Sequence, residues 1–268
     1  MNKKSFFISN LCWEAKYQEK IIDIIKKNQI KGIDFAPLKI TSSWKNIEKK
    51  TIKYSNYLKK NNIIVNAVQG IFFKKRFNLF KDQNNIDKIL KHLKVIIKIC
   101  KILDCNKIIV GSTEFRNKLN LKRNEADKIF VDFLYKLIPL LQKEKVFFCL
   151  ETIPKQYNEK YLFNFNQVLS IVKKVNSKWI SINFDTSLFH FNKLNISEFK
   201  KNIKLIKNIQ ITQKDFKFFL KPSKRNILFC KMLKNNNKIK DISLEIIETK
   251  TNLDKVNISI KNLKKLFS

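Results

Sequence analysis

Val146-Phe-Phe-Cys-Leu-Glu151 is the stretch on which the fold turns: five apolar residues in succession, then a carboxylate. A strand that is apolar on both faces belongs inside a parallel sheet, with helices covering one side and a barrel interior or a second helical layer on the other. Working outward from 146–150, comparable short runs occur at residues 6–9, 32–36, 63–68, 107–111, 179–184, 208–212 and 242–244. Stretches of helical period separate them. The clearest begins near Asn84 and sets Ile86, Ile89, Leu90, Leu93, Ile96, Ile97 and Cys100 on one stripe. Another sets Ala126, Ile129, Phe130, Phe133 and Leu137 on one face, and Pro139 is expected to kink or shorten it. Weaker helices are expected at 17–28, 44–60, 164–175, 196–206, 226–235 and 254–267. Eight alternating units predict an α/β chain closed into one (β/α)8 barrel over residues 1–268, because closure leaves no edge strand to protect.

Composition agrees with a single domain and narrows the partners. A chain of 268 residues, 44% hydrophobic, can fill one barrel and its helical ring. The formal charge of +34 suggests a polyanion partner at first sight. Yet Arg76, Arg116, Arg123 and Arg225 are the whole Arg complement among 56 basic residues, beside 3 Gly and 4 Pro. That skew toward Lys, Asn and Ile is what AT-rich coding imposes, and the Lys residues fall between apolar helix positions as solvated faces. No nucleic-acid partner is expected. Five cysteines, Cys12, Cys100, Cys105, Cys149 and Cys230, form no C-x-x-C pair and suit a reducing compartment. Ser9, Asn10 and Glu14 interrupt the first apolar stretch, and no run is long enough to span a bilayer, so a cytoplasmic chain without a membrane partner is expected. Assembly into a homo-oligomer is left open. With so few Gly, Asn is expected at left-handed loop positions.

In a parallel barrel the chemistry sits at the carboxyl ends of the strands. Glu151, Asp185 and Glu245 each follow an apolar run there. One such acid is well explained as a helix cap; three at strand ends point to a shared pocket. Converging carboxylates repel by about 4 kcal/mol per pair at 4 Å and an effective dielectric of 20, so a proton, a Lys or a divalent cation must offset them. Oxygen donors alone suit Mg²⁺ or Mn²⁺.

The same positions carry a family resemblance that runs along nearly the whole chain. Its segments are Gly32-Ile-Asp-Phe-Ala-Pro37, Gln69, Gly111-Ser-Thr-Glu-Phe-Arg116, Cys149-Leu-Glu-Thr-Ile-Pro154 with Tyr157, Asn183-Phe-Asp-Thr186, and Ile242-Ser-Leu-Glu-Ile246. Together they resemble the xylose isomerase-like TIM barrel superfamily, within it the sugar phosphate isomerase/epimerase group. The resemblance implies a divalent metal held at Glu151, Asp185, Gln210 and Glu245, and a sugar or sugar phosphate as substrate. It implies aldose–ketose interchange, or epimerisation beside a carbonyl, through an enediolate, with Glu151 and Glu245 as the acid/base pair. The departure is Asn208-Ile-Gln210, where the family has a His-x-His type strand. A neutral amide is the weaker ligand, so a divergent, non-catalytic sugar-binding barrel stands as the alternative. An AP endonuclease-like repair enzyme would need a His-rich three-metal cluster, which His92 and His190 cannot supply.

Trp13, Gln69, Arg116 and His190 are further candidates for substrate contact, being close behind strand ends. The plain alternatives are a surface salt bridge for Arg116 and a packed or solvent-facing loop position for His190. His92, inside a helix, reads as structural, and the 23 Phe residues read as core.

Overall fold

A computed structural model describes residues 4–191, 196–247 and 250–268. Eight parallel strands close in sequence order: β1 (Ser5–Ser9), β2 (Gly32–Phe35), β3 (Ile64–Val68), β4 (Lys107–Val110), β5 (Phe147–Glu151), β6 (Ile180–Asp185), β7 (Ile206–Thr212) and β8 (Asp241–Glu245), with β8 pairing back onto β1. The expected (β/α)8 TIM barrel is therefore observed. The principal outer helices are α1 (Gln18–Lys27), α2 (Ile47–Lys60), α3 (Gln83–Ile102), α4 (Arg123–Glu144) and α5 (Phe165–Val175). They continue with the short α6 (Leu188–Phe191) and α7 (Ile196–Lys201), then α8 (Lys224–Lys234) and α9 (Leu253–Lys265). None of the described helices is long and apolar enough to cross a membrane.

Several boundaries differ from the sequence reading for identifiable reasons. Pro139 neither ends nor shortens α4, which continues to Glu144. Pro139 is exposed, and the packing of Leu137 and Leu141 on the barrel outweighs the one backbone hydrogen bond its ring removes. The helix expected over 196–206 stops at Lys201; a 3-10 turn, Ile203–Leu205, follows, and Ile206 already belongs to β7. Asn46, Asn62, Asn158 and Asn176 do take positive φ in place of Gly, but so do Lys74, Leu119, Lys145 and Phe216.

The largest difference lies inside the barrel. Outward residues such as Ile182, Phe184, Ile209, Ile211, Ile242 and Leu244 pack under the helices as expected. The lumen, however, is polar. Lys107 Nζ donates to Asn66 Oδ1; Asn66 Nδ2 donates to Asn208 Oδ1 at 3.0 Å, across the barrel from β3 to β7. Asn208 Nδ2 donates to Asn183 Oδ1 (2.8 Å), Asn183 Nδ2 to Gln210 Oε1 (2.5 Å), Gln210 Nε2 to Gln69 Oε1 (2.8 Å), and Gln69 Nε2 to Ser9 Oγ. Five carboxamides thus form one head-to-tail chain, each accepting from the residue below and donating to the one above. Asp34 braces it from the side, accepting from Asn66 Nδ2 at 2.6 Å and from Gln210 Nε2 at 3.5 Å. All these side chains are buried, where a polar group without a partner would cost about 1–3 kcal/mol.

Where β2 meets β3, a Cβ built on Gly32 would lie 1.9 Å from the backbone oxygen of Ile64. Backbone on both sides cannot yield without opening the pair. Gly32→Ala should destabilise the fold by about 3 kcal/mol or more, measured by urea unfolding, whereas a loss below about 1 kcal/mol would mean that β3 is free to shift.

Candidate active site

The three acids end their strands as the last residue of β5, β6 and β8, and strand direction carries all three to the same mouth of the barrel. One carboxylate oxygen from each of Glu151, Asp185 and Glu245 lies within 4.8 Å of the others, and all three residues are buried. Among the described residues no His or Cys joins this cluster. Asp185 is held through one oxygen only: Oδ1 accepts from Thr212 Oγ1 at 2.6 Å and from the Ser187 N–H at 2.5 Å. Its Oδ2 is buried and meets no N–H or hydroxyl donor among the described residues, and the neighbouring Glu245 carboxyl shares a hydrogen bond with Asp185.

Burial and mutual repulsion shift the acids together. Desolvation and the charge of Asp185 push Glu151 up to about 8, against a smaller opposing pull from Arg116. Glu245 is raised well above the ordinary carboxylate range by desolvation and then by Glu151 and Asp185. Asp185 is raised by desolvation, opposed by its hydrogen bonds to Thr212 and Ser187. Three acids that favour protons in isolation are a site prepared for positive charge, and the second Asp185 oxygen gives a cation a ligand. The donor set fits a hard divalent ion.

Glu151 reaches this position because residue 111 has no side chain. A Cβ on Gly111 would stand 2.2 Å from Glu151 Oε2 and 2.9 Å from its Cδ. Gly111 was legible only as part of a motif; its steric role depends on β4 lying beside β5, which spacing along the chain does not reveal.

Above the acids opens a cavity of about 590 Å³, within the range of small-molecule sites. Gln69, Glu151 and Glu245 line it, with Gly111, Ser112, Thr113 and a wall that includes Phe72, Phe73, Tyr157 and Phe216. Gln69, one of the candidates for substrate contact, is thus among the lining residues. Trp13 does not line the cavity: it is buried, with Nε1 donating to Gln18 Oε1 at 2.9 Å. Arg116 is likewise behind the wall, fully buried, its Nε 2.7 Å from Glu159 Oε2, so its ion pair is internal and not a surface bridge. It influences the site through its charge on Glu151. His190 lies in α6, not in a loop, half-buried, with Nε2 lacking a protein partner and its basicity lowered by desolvation. His92 is structural as expected, Nε2 meeting the Ile71 carbonyl oxygen at 2.7 Å. Gln210 sits beside Asp185 in register, but its amide is tied at both ends, oxygen to Asn183 and nitrogen to Gln69.

The family model described as the xylose isomerase-like TIM barrel matches residues 22–226, more than half of the chain. This chain belongs to that family. Its structural neighbours include sugar epimerases and isomerases and also an AP endonuclease of family 2 from Brucella melitensis, which superposes with a TM-score of 0.71 at 13% identity over 96% of this chain and 97% of the other. The apo 3-keto-D-glucoside 4-epimerase YcjR from E. coli superposes with a TM-score of 0.76 at 12% identity, over 98% of this chain and 100% of the other. D-Psicose 3-epimerase from Clostridium cellulolyticum H10, solved with D-tagatose, gives 0.76 at 11% identity, over 98% and 99%. The IOLI protein, solved with a zinc atom, gives 0.73 at 18% identity, over 98% and 96%. At such identities the likeness is one of fold. No curated protein matches the sequence.

Two outcomes follow for this member of the family. In the absence of metal the folded state holds protons on Glu151 up to about pH 8 that an unfolded Glu releases near 4.5. The fold binds more protons through that window, so stability falls as pH rises from about 5 to 8, and Glu151→Gln should flatten the fall in a chelator-treated melting series. Gly111→Ala should displace the Glu151 carboxylate while costing the fold only about 1 kcal/mol, and should weaken Mn²⁺ binding by about tenfold or more in calorimetry.

Proposed function

We propose that this barrel is a sugar isomerase or epimerase that moves a proton beside a carbonyl through an enediolate, with Glu151 and Glu245 as the acid/base pair. The observation that supports this most is the convergence of two glutamates from nonadjacent strands, β5 and β8, on one sugar-sized cavity. One carboxylate takes the proton from the carbon next to the substrate carbonyl, and the partner carboxyl returns a proton to the neighbouring carbon or to the opposite face. Without a cation Glu151 is held near 8 by burial and Asp185; a bound divalent ion would lower it and leave the carboxylate that accepts the proton. Asp185 serves as a ligand only, its one oxygen fixed by Thr212 and Ser187 and the other able to coordinate. Mn²⁺ or Mg²⁺ bound by Glu151, Asp185 and Glu245 would polarise the substrate's carbonyl and hydroxyl oxygens. We assign Gln210 to positioning, since its N–H orients Gln69 toward the cavity.

The binding-only alternative draws support from the same residue. With its oxygen already accepting from Asn183, Gln210 is a poorer ligand than the imidazole of the family's strand would be. The two readings part on exchange chemistry. With Mn²⁺ or Mg²⁺ at 100 times its Kd the fold should gain about 2.7 kcal/mol, seen as a raised Tm. The enzyme should then incorporate solvent deuterium into a member of a ketose panel, and Glu151→Gln should abolish that exchange. Exchange that survives Glu151→Gln removes Glu151 from the proton transfer; binding without any exchange leaves the binding reading.

A further inference from the structure

A sugar phosphate brought over three carboxylates would need cations around its phosphate, most effectively Arg in bidentate contact. Among the described residues lining the cavity Lys74 is the one cation, and its Nζ already donates to the Ser42 carbonyl at 3.1 Å. Arg116 is behind the wall with Glu159, while Glu114 adds a further acid to the lining.

The upper wall is apolar instead, and two of its side chains stand in water. Phe73 is 64% exposed and Ile247 48% exposed. Neither is loosely held. The Phe73 N–H closes a turn on the Gly70 carbonyl at 3.1 Å, its own carbonyl accepts from Trp44 Nε1 at 2.9 Å, and the Ile247 N–H donates to the Phe216 carbonyl at 2.8 Å. Phe216 has φ +56°, directly after Asp215 at the same value, a left-handed conformation that a bulky residue adopts only under constraint. Beside it the Tyr157 ring lies 5.2 Å away, its hydroxyl held by the Asp215 N–H at 3.0 Å. Anchored apolar groups left in water and a strained backbone presenting an aromatic ring, all continuous with the acidic floor, mark a built apolar subsite.

We propose that the site takes an uncharged sugar bearing an aromatic-sized apolar substituent, a glycoside and not a sugar phosphate. The sugar lies over Gln69, Glu151 and Glu245, and the substituent packs among Phe73, Phe216 and Ile247. A substituent on the anomeric oxygen locks the ring against opening, so of the two reactions named above the compatible one is epimerisation beside a ring ketone. This assignment rests on the sugar reading of the same site.

The test is calorimetry and saturation-transfer NMR on the full chain with Mn²⁺ present. The probes are phenyl and methyl glycosides of glucose, galactose, mannose and xylose, with the free sugars and the 6-phosphates of the three hexoses. At least one phenyl glycoside should bind tenfold or more tightly than its methyl counterpart, and the 6-phosphates should bind more weakly than the free sugars. Phe73→Ala and Phe216→Ala should each reduce the phenyl-to-methyl ratio to threefold or less, with melting curves confirming that both variants fold; Phe73, being exposed, leaves the core untouched. A ratio unchanged in both variants overturns the subsite. So do phenyl and methyl glycosides that bind alike, or a 6-phosphate that binds more tightly than its phenyl glycoside; if deuterium exchange into ketoses persists in those cases, the sugar reading stands without the subsite. No binding by any probe, together with no exchange into any ketose, removes both.

Discussion

Polar groups buried inside a closed barrel need hydrogen-bond partners, and this chain has filled its lumen with amides. Every carboxamide there must find its donors and acceptors in other lumen side chains, which a head-to-tail chain from Lys107 to Ser9 achieves. Because each amide orients the next, and hydrogen bonds in a low dielectric polarise one another, the array behaves as a unit. It fixes strands on opposite sides of the barrel at set separations, Asn66 on β3 against Asn208 on β7, where an apolar core would tolerate sliding. Lys107 supplies the cation at its lower end, itself paired with Asp241 at 3.3 Å, and Gln69 delivers its upper end to the cavity.

The acidic mouth is built on that support. Asp185 is the last residue of the strand that carries Asn183, so the amide chain and the carboxylate cluster share one backbone. Neighbouring structure then adds what the acids need: space at Gly111, a buried Arg116–Glu159 pair behind Glu151, and hydroxyl and backbone donors on a single oxygen of Asp185. Holding three carboxylates this close costs several kcal/mol in the absence of compensating charge. That cost is the physical reason to regard the cluster as functional, since nothing in the packing of the barrel requires it.

Much of this was visible along the chain. The eight strands could be read because runs such as Phe147-Phe-Cys-Leu150 are short, apolar and β-favouring, and the acids could be read because each, at 151, 185 and 245, is the first carboxylate after its strand. A signal for the polar lumen was also present: Ser181-Ile-Asn183-Phe-Asp185, Asn208-Ile-Gln210-Ile-Thr212 and Ser243-Leu-Glu245 alternate strictly. Such alternation ordinarily marks a face turned to water, and here the polar face turns to the barrel axis. Phe73, Phe216 and Ile247 escaped notice because a hydrophobic residue in a loop looks the same whether it packs inward or stands in water.

By itself the sequence determined the period-two and period-3.6 pattern, hence the barrel, and the chemical identity of the groups at each strand end. Both follow from short-range rules that act along the chain. Tertiary structure alone decided which of those groups meet. The separation of Glu151, Asp185 and Glu245, the capture of Gln210 by Asn183 and Gln69, and the withdrawal of Arg116 behind the wall all depend on how strands far apart in sequence are staggered around the barrel. That stagger is set by closing all eight strands at once, and no local segment contains it.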